Sequence, residues 1–326
     1  MRLTVAAAAF GRSPLAFPAR VAGRGARDGT AEVRRLLDLW VADGRAPGIQ
    51  YVHVAADGVR FAHCAGLARP LDAIAVSDLT TFNAYSITKT FTAAAVLQLV
   101  SQGRIALDAP LAAYLEEFPR SASPTVRETL SHTAGLPNPN PLSWCHLDSE
   151  HAAFDPAPFV ARILAESLRH RGRPGRAYRY SNVGYLWLGL LLERISGCAY
   201  VDQVRESLIA PLQLGAHERL GFAIDDPGHH ACGCVPRWSL LNPLLGLFID
   251  RRRYIEGRSG RWLQLRHLHV DGAAYGGLIG NALGFGRYLR ALLGDSGYLP
   301  AGVHELLFSR GAGRCGSRPP RSLGWF

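Results

Sequence analysis

One lysine stands in a chain of 326 residues that carries the rest of its positive charge on arginine. Lysine and arginine together number 36, and only Lys89 is lysine. It follows Ser86 by one helical turn in Tyr85-Ser86-Ile87-Thr88-Lys89-Thr90. Arginine holds its proton at any workable pH, whereas an amine can be brought to give its proton up. A lone lysine in so arginine-rich a chain marks a place where the cation must at times be neutral. Ser-x-x-Lys is also a spacing at which an amine can take the proton of a serine hydroxyl and make it a nucleophile. Alone the motif is weak, because serine before lysine recurs by chance. A surface lysine that escaped codon bias is the plain alternative, and the rest of the chain has to decide.

The elements that must position this pair can be read from periodicity. Residues 30–43 place Val33, Leu36, Leu37 and Trp40 at helical spacing, with Gly44 as a stop. Runs 48–56 and 59–66 are β-type and surround Asp57-Gly58, a favoured two-residue hairpin turn. Residues 86–103 predict a strong helix with Ser86 in its first turn, Lys89 on the same face and Gly103 as terminator. The free amides of such a helix start suit a developing negative charge. A mainly helical middle follows, at 125–132, 156–170, 183–196 and 200–208. Residues 238–250 read as an apolar loop or short helix, 262–269 as a strand and 283–293 as a helix. This order predicts an α+β fold, an antiparallel sheet flanked by helices with a mainly helical lobe inserted.

Composition narrows the function classes. Hydrophobic residues make up 48% of the chain, enough for a large core in one domain or two intimate lobes. The net charge is +10, but the arginines are mostly scattered and no aromatic-interleaved recognition motif accompanies them, so nucleic acid is not the expected partner. No apolar run is long enough to span a membrane. Residues 3–10 form a short apolar stretch after Met1-Arg2 with no clear cleavage site. Residues 1–28 are therefore expected to be a disordered leader, and the cytoplasm is favoured over export. The six cysteines show no disulfide-scaffold spacing. His229-His230-Ala231-Cys232-Gly233-Cys234 offers zinc-type ligands at a non-zinc spacing, so buried thiols on a strand are expected and no metal.

With Ser86 and Lys89 placed, further segments fall in order. They are Leu130-Ser131-His132-Thr133-Ala134-Gly135-Leu136, Pro174-Gly175 before Tyr180-Ser181-Asn182, Ile195-Ser196-Gly197, Pro211-Leu212-Gln213-Leu214-Gly215 and Gly276-Gly277-Leu278. Together with residues 82–89 they resemble the serine β-lactamase and penicillin-binding-protein superfamily. The nearer likeness is to class C β-lactamase-like hydrolases and esterases, because the middle motif reads Tyr-Ser-Asn. The resemblance runs from about residue 48 to 326. It implies that Ser86 is the nucleophile of an acyl transfer and that Lys89 and Tyr180 are the acid/base pair. Asn182 would bind substrate or orient the Lys89 ammonium, and the Ser86 amide would supply half of an oxyanion hole. No metal or organic cofactor is implied. Tyr180 could also be an ordinary half-buried tyrosine, Asn182 a helix N-cap before Val183, and His132 is expected to be structural.

One departure stands out. The superfamily's third motif, Lys or His then Thr or Ser then Gly on a late strand, is not found after Gly277. The chain stops at Ser322-Leu323-Gly324-Trp325-Phe326, which resembles the strand entered shortly before that motif. The expectation is a truncated chain that lacks the last strands and leaves an unpaired sheet edge. The expected layout is a β-lactamase-like domain over 29–326, with a sheet lobe at about 29–104 and 276–326 and a helical lobe at about 105–275. The leading reading is a serine hydrolase acting on a small-molecule or peptide acyl substrate, whether ester, amide or β-lactam. The alternatives are an impaired pseudoenzyme that serves as a scaffold or peptide binder, and an arginine-rich polyanion binder. Oligomeric state is left open.

Overall fold

The computed structural model describes residues 4–6, 29–121, 123–139, 143–169, 172–175, 177–238, 250–294, 297–300, 302–308 and 322–325. Every pair of named strands is antiparallel. The largest sheet has four strands in the order β1 (Thr4–Ala6), β2 (Gly48–Ala55), β3 (Gly58–Arg69) and β4 (Ile74–Ala75). Two helices cover it. Alternation along β2 explains both covers, since successive side chains point to opposite faces. Ile49 meets Leu37 of α1 (Thr30–Ala42) on one face. Val52 and Val54 meet Leu289 of the helix Ala282–Leu293 on the other.

The main core lies elsewhere, around α2 (Thr88–Ser101). Every residue of this helix from Thr88 to Leu99 is buried. A helix apolar on all sides has to be central, and each buried Leu or Phe contributes about 1.5–3 kcal/mol. The helix Asn182–Ser196 packs beside it with Val183, Tyr185, Leu188 and Leu191 fully buried. Gly103 ends α2 in the left-handed region, at φ +71°.

The structure differs from the sequence expectations at several points. Thr4–Ala6, within the expected disordered leader, pairs with β2 from Tyr51 to His53; residues 1–3 and 7–28 lie outside the described residues. The hairpin turns one residue early, at Ala56-Asp57, because Ala55 pairs with Gly58. Neither turn residue nor Gly58 has positive φ. The register shift between His53 and Val54 leaves Arg60 as a bulge that takes up the strand twist in place of a mirror-image turn. Residues 262–269 are two strands, Trp262–Leu265 and Leu268–Val270, in different sheets. The break falls where the Arg266 amide turns to the Tyr254 carbonyl and the His267 carbonyl to the Asp148 amide. Ile279–Gly280 belongs to a small sheet with Phe82–Asn83 and Leu220–Gly221, not to the large one. Residues 239–249 of the expected apolar loop lie outside the described residues. Cys232 and Cys234 are buried, and burial pushes their thiols up to about 12 and about 11.

Residues 322–325 are not a strand but a bend laid on α2, with Leu323 inside the main core. Gly324 sits at φ +85°, and a Cβ there would lie 2.2 Å from the Ala93 Cβ. Gly103 has a similar φ with open space around it. Gly103→Ala should therefore cost only the left-handed penalty, about 1–2 kcal/mol. Gly324→Ala should cost that plus a steric term of about 1–3 kcal/mol. Urea unfolding of both variants checks this, and equal losses would show that residues 322–325 do not press on α2.

Candidate active site

Three separate segments converge on Ser86. The first is its own turn. Phe82–Asn83 pairs with Ile279–Gly280, the Ala84 amide donates to the Leu278 carbonyl (2.8 Å), and the Leu278 amide donates to Thr88 Oγ1 (3.1 Å). Between these clamps Tyr85 is forced to φ +45°, a costly conformation for an aromatic residue. Ser86 lies in the 3-10 turn Tyr85–Ile87 that leads into α2, just ahead of the α-helix that the spacing predicts to include it. The result is an exposed serine one turn above a lysine that is 0% exposed.

The second segment holds the lysine. Lys89 Nζ lies 3.2 Å from Ser86 Oγ and donates to the Tyr275 carbonyl at 2.7 Å. Tyr275 belongs to the short helix Ala273–Gly276, which Thr92 of α2 also grips through the Ala274 carbonyl (2.7 Å). Three tyrosine rings surround the amine, with centroids at 5.0 Å (Tyr180), 5.4 Å (Tyr275) and 5.5 Å (Tyr185). No salt bridge reaches it among the described residues. Burial therefore dominates its proton affinity and pushes the amine well below its usual value.

The third segment brings the phenol. Tyr180 Oη lies 2.6 Å from Ser86 Oγ. Burial raises the Tyr180 pKa, and the bond to Ser86 only partly offsets this. Of the two groups next to the hydroxyl, the amine is the one readied to be neutral, and the phenol keeps its proton. Asn182 is close in the chain but plays a different part from a cap. Ser181 caps the helix by accepting from the Gly184 amide (3.0 Å), and Asn182 is the first residue inside. Its backbone amide donates to Asn138 Oδ1 (2.9 Å), while its own Oδ1 is buried with no hydrogen-bond partner among the described residues. No hydrogen bond joins it to Ser86 or Lys89 among the described residues.

Sequence reasoning thus places Ser86, Lys89 and Tyr180 together. It misses Tyr275, whose contribution is a backbone carbonyl and so leaves no mark in residue type. It also misses Tyr185, one of ten buried residues in its helix.

The fold agrees with comparison to known proteins. The beta-lactamase family model matches residues 33–325, and the chain belongs to that family. It is 28% identical over 160 residues to penicillin-binding protein 4* of Bacillus subtilis, a stretch that is 48% of this chain and 35% of that relative. The match therefore spans only about a third of the relative's length. Among solved structures, the D-amino acid amidase of Ochrobactrum anthropi is similar in fold, with a TM-score of 0.68 and 20% identity over 87% of this chain and 76% of that one. The octameric penicillin-binding protein homologue of Pyrococcus abyssi gives 0.67 and 21% over 86% and 60%.

A buried amine without a carboxylate has a stability signature. Because the folded pKa of Lys89 lies below its unfolded value, the unfolded chain binds more protons between the two, and stability rises with pH through that window. Lys89→Met removes the burden. The variant should be more stable than the parent at pH 6, with the difference narrowing toward pH 10, where the unfolded amine also begins to lose its proton. Thermal midpoints of both proteins across that range measure it. A Lys89→Met variant that is less stable at low pH would mean that the amine is not desolvated.

Proposed function

We propose that this chain is a serine hydrolase that forms an acyl-enzyme through Ser86 on an ester or amide, β-lactams included. The observation that carries the reading is the placement of Ser86 Oγ between Lys89 Nζ and Tyr180 Oη, with the amine buried and unopposed by any carboxylate among the described residues. Neutral Lys89 accepts the hydroxyl proton as Oγ attacks the acyl carbon. The tetrahedral adduct collapses, Tyr180 passes a proton to the departing alcohol or amine, and the phenol is reprotonated from Lys89. Water then cleaves the acyl-serine by the same steps in reverse order. The Ser86 amide, at an exposed turn, is the donor proposed for the developing oxyanion. Asn182, with its buried acceptor open, is proposed to bind substrate. The similar D-amino acid amidase is known in complex with L-phenylalanine amide, which supports small amino-acyl amides among the substrates.

A fluorophosphonate probe should label Ser86, and Ser86→Ala should abolish labelling and p-nitrophenyl ester turnover without loss of fold. Equal labelling of the Ala variant would remove Ser86 from the chemistry. Absence of any acylation in the parent would favour a binding role instead. Lys89→Arg places there a cation that cannot give up its proton, and kcat/KM should drop roughly 10²–10⁴-fold. In the parent, kcat/KM should rise with pH through the lowered amine value, well below 10.5. A rise only near pH 10 or above would assign the base to Tyr180.

A further inference from the structure

The helix Val126–Leu130 ends in a six-residue closing motif that is usually reserved for glycine. The Thr133 amide donates to the Glu128 carbonyl (2.8 Å) and the His132 amide to the Thr129 carbonyl (3.3 Å). This pairing puts the residue after the C-cap in the left-handed region, where glycine or asparagine is favoured. Here it is His132, at φ +57° and 1% exposed. A bulky side chain there costs about 1–2 kcal/mol relative to glycine. The backbone has no use for a histidine at this position, so the reason must lie in what the ring and its carbonyl touch.

They touch Tyr180 from three sides. The His132 carbonyl accepts from the Arg179 amide at 2.7 Å, and His132 Nδ1 accepts from the Ser181 amide at 3.1 Å. One residue thus grips the backbone immediately before and after Tyr180. Its ring lies against the Tyr180 ring, with centroids 4.5 Å apart, and against Tyr185 at 5.2 Å. Ser181 carries the grip onward: it caps the helix Asn182–Ser196 and its Oγ donates to the Pro137 carbonyl (2.7 Å). The segment 177–181 has no regular structure of its own. Its aim at Ser86 depends on this external hold.

We infer that His132 is the positioning residue for Tyr180, which fixes the height and direction of the phenol over Ser86 by clamping residues 179 and 181 and packing on the ring. This rests on the reading of Tyr180 as the proton donor to the leaving group. His132 touches neither Ser86 nor the reacting atoms and acts only through Tyr180. The geometry requires an acceptor at Nδ1, which a neutral imidazole supplies and a glycine does not.

The test separates helix termination from aiming. His132→Gly suits the left-handed backbone but empties the space of a buried ring, so its thermal midpoint should fall modestly while the protein stays folded at the assay temperature. Its kcat on a p-nitrophenyl ester should nevertheless fall roughly 10- to 100-fold, as expected for a catalytic group displaced by about an ångström. KM should stay within about twofold, because only the reacting state is affected. His132→Asn tolerates the same backbone and offers an amide oxygen near the Nδ1 position, and it should recover most of kcat. In a Tyr180→Phe background, His132→Gly should have no further effect on kcat, since the group it aims is gone. Full activity in His132→Gly, or equal losses in the Tyr180→Phe and Tyr180 backgrounds, overturns the inference while leaving the Tyr180 assignment intact. Parental turnover in Tyr180→Phe alone overturns both.

Discussion

A primary amine has to be kept dry beside a serine hydroxyl, and much of the molecule follows from that constraint. An ammonium taken out of water is so costly that the group gives up its proton instead. A carboxylate in the same pocket would restore the charge and rule out the role of base proposed for it. The walls around Lys89 are therefore tyrosine rings and a peptide carbonyl, which shut out water without supplying a counter-ion. Ring faces favour the cation to some extent. Burial outweighs them, and the net direction is downward. The constraint also accounts for the residue type, since arginine, used everywhere else in this chain, would stay charged in such a pocket.

A dry amine one turn below an exposed hydroxyl requires a helix that passes from surface to core within a single turn. The 3-10 turn Tyr85–Ile87 supplies the surface end, and α2 behind it runs through the centre, buried from Thr88 to Leu99. Its buried threonines are satisfied internally, whereas Gln98 Oε1 has no hydrogen-bond partner among the described residues. Thr92 donates to the Ala274 carbonyl and meets the Tyr200 hydroxyl at 2.8 Å, and Thr90 donates to the Ile87 carbonyl. Similar buried joints fix the surroundings. Asn281, 0% exposed, accepts from the amides of Arg219 and Gly284 and donates to the carbonyls of Asp78 and His217. Gln50 of β2 ties the carbonyl of Ser77 to the amide of Ala282. The sheet, the 279–280 strand behind the nucleophile turn and the helix that follows it are thereby held as one unit.

What could be read from the sequence follows the range of the interaction. Ser86 and Lys89 are a local pair, and one helical turn is enough to predict their contact. Tyr180 is 94 positions from Ser86, and it was legible only through resemblance, because no periodicity reports so distant a meeting. The Tyr275 carbonyl was not legible at all. The same division holds for the fold. The long helices emerge near their predicted bounds, since periodicity and caps are local signals. The hairpin is displaced by one residue because the bulge at Arg60 depends on cross-strand register rather than on the Asp-Gly dipeptide. The run 262–269 divides because Cys145–Leu147 captures its second half, and the partner lies more than a hundred residues away.

Strain gives a last link between the two halves of the site. Among the described residues only four other than glycine have positive φ: Ala73, Tyr85, His132 and Gln213. Two of the four flank the Ser86 and Tyr180 hydroxyls: Tyr85 precedes Ser86, and His132 grips the segment that carries Tyr180. Each such residue costs of order 1–3 kcal/mol and persists only where its surroundings over-determine it. At Tyr85 the surroundings are the Ala84 and Thr88 bonds to Leu278, and at His132 they are the helix end and the two amides it accepts. The two strained positions stand on either side of a 2.6 Å hydrogen bond between serine and tyrosine. In the reading proposed for the site, these two positions hold the distance between nucleophile and proton donor, on which the rate of acyl transfer depends steeply.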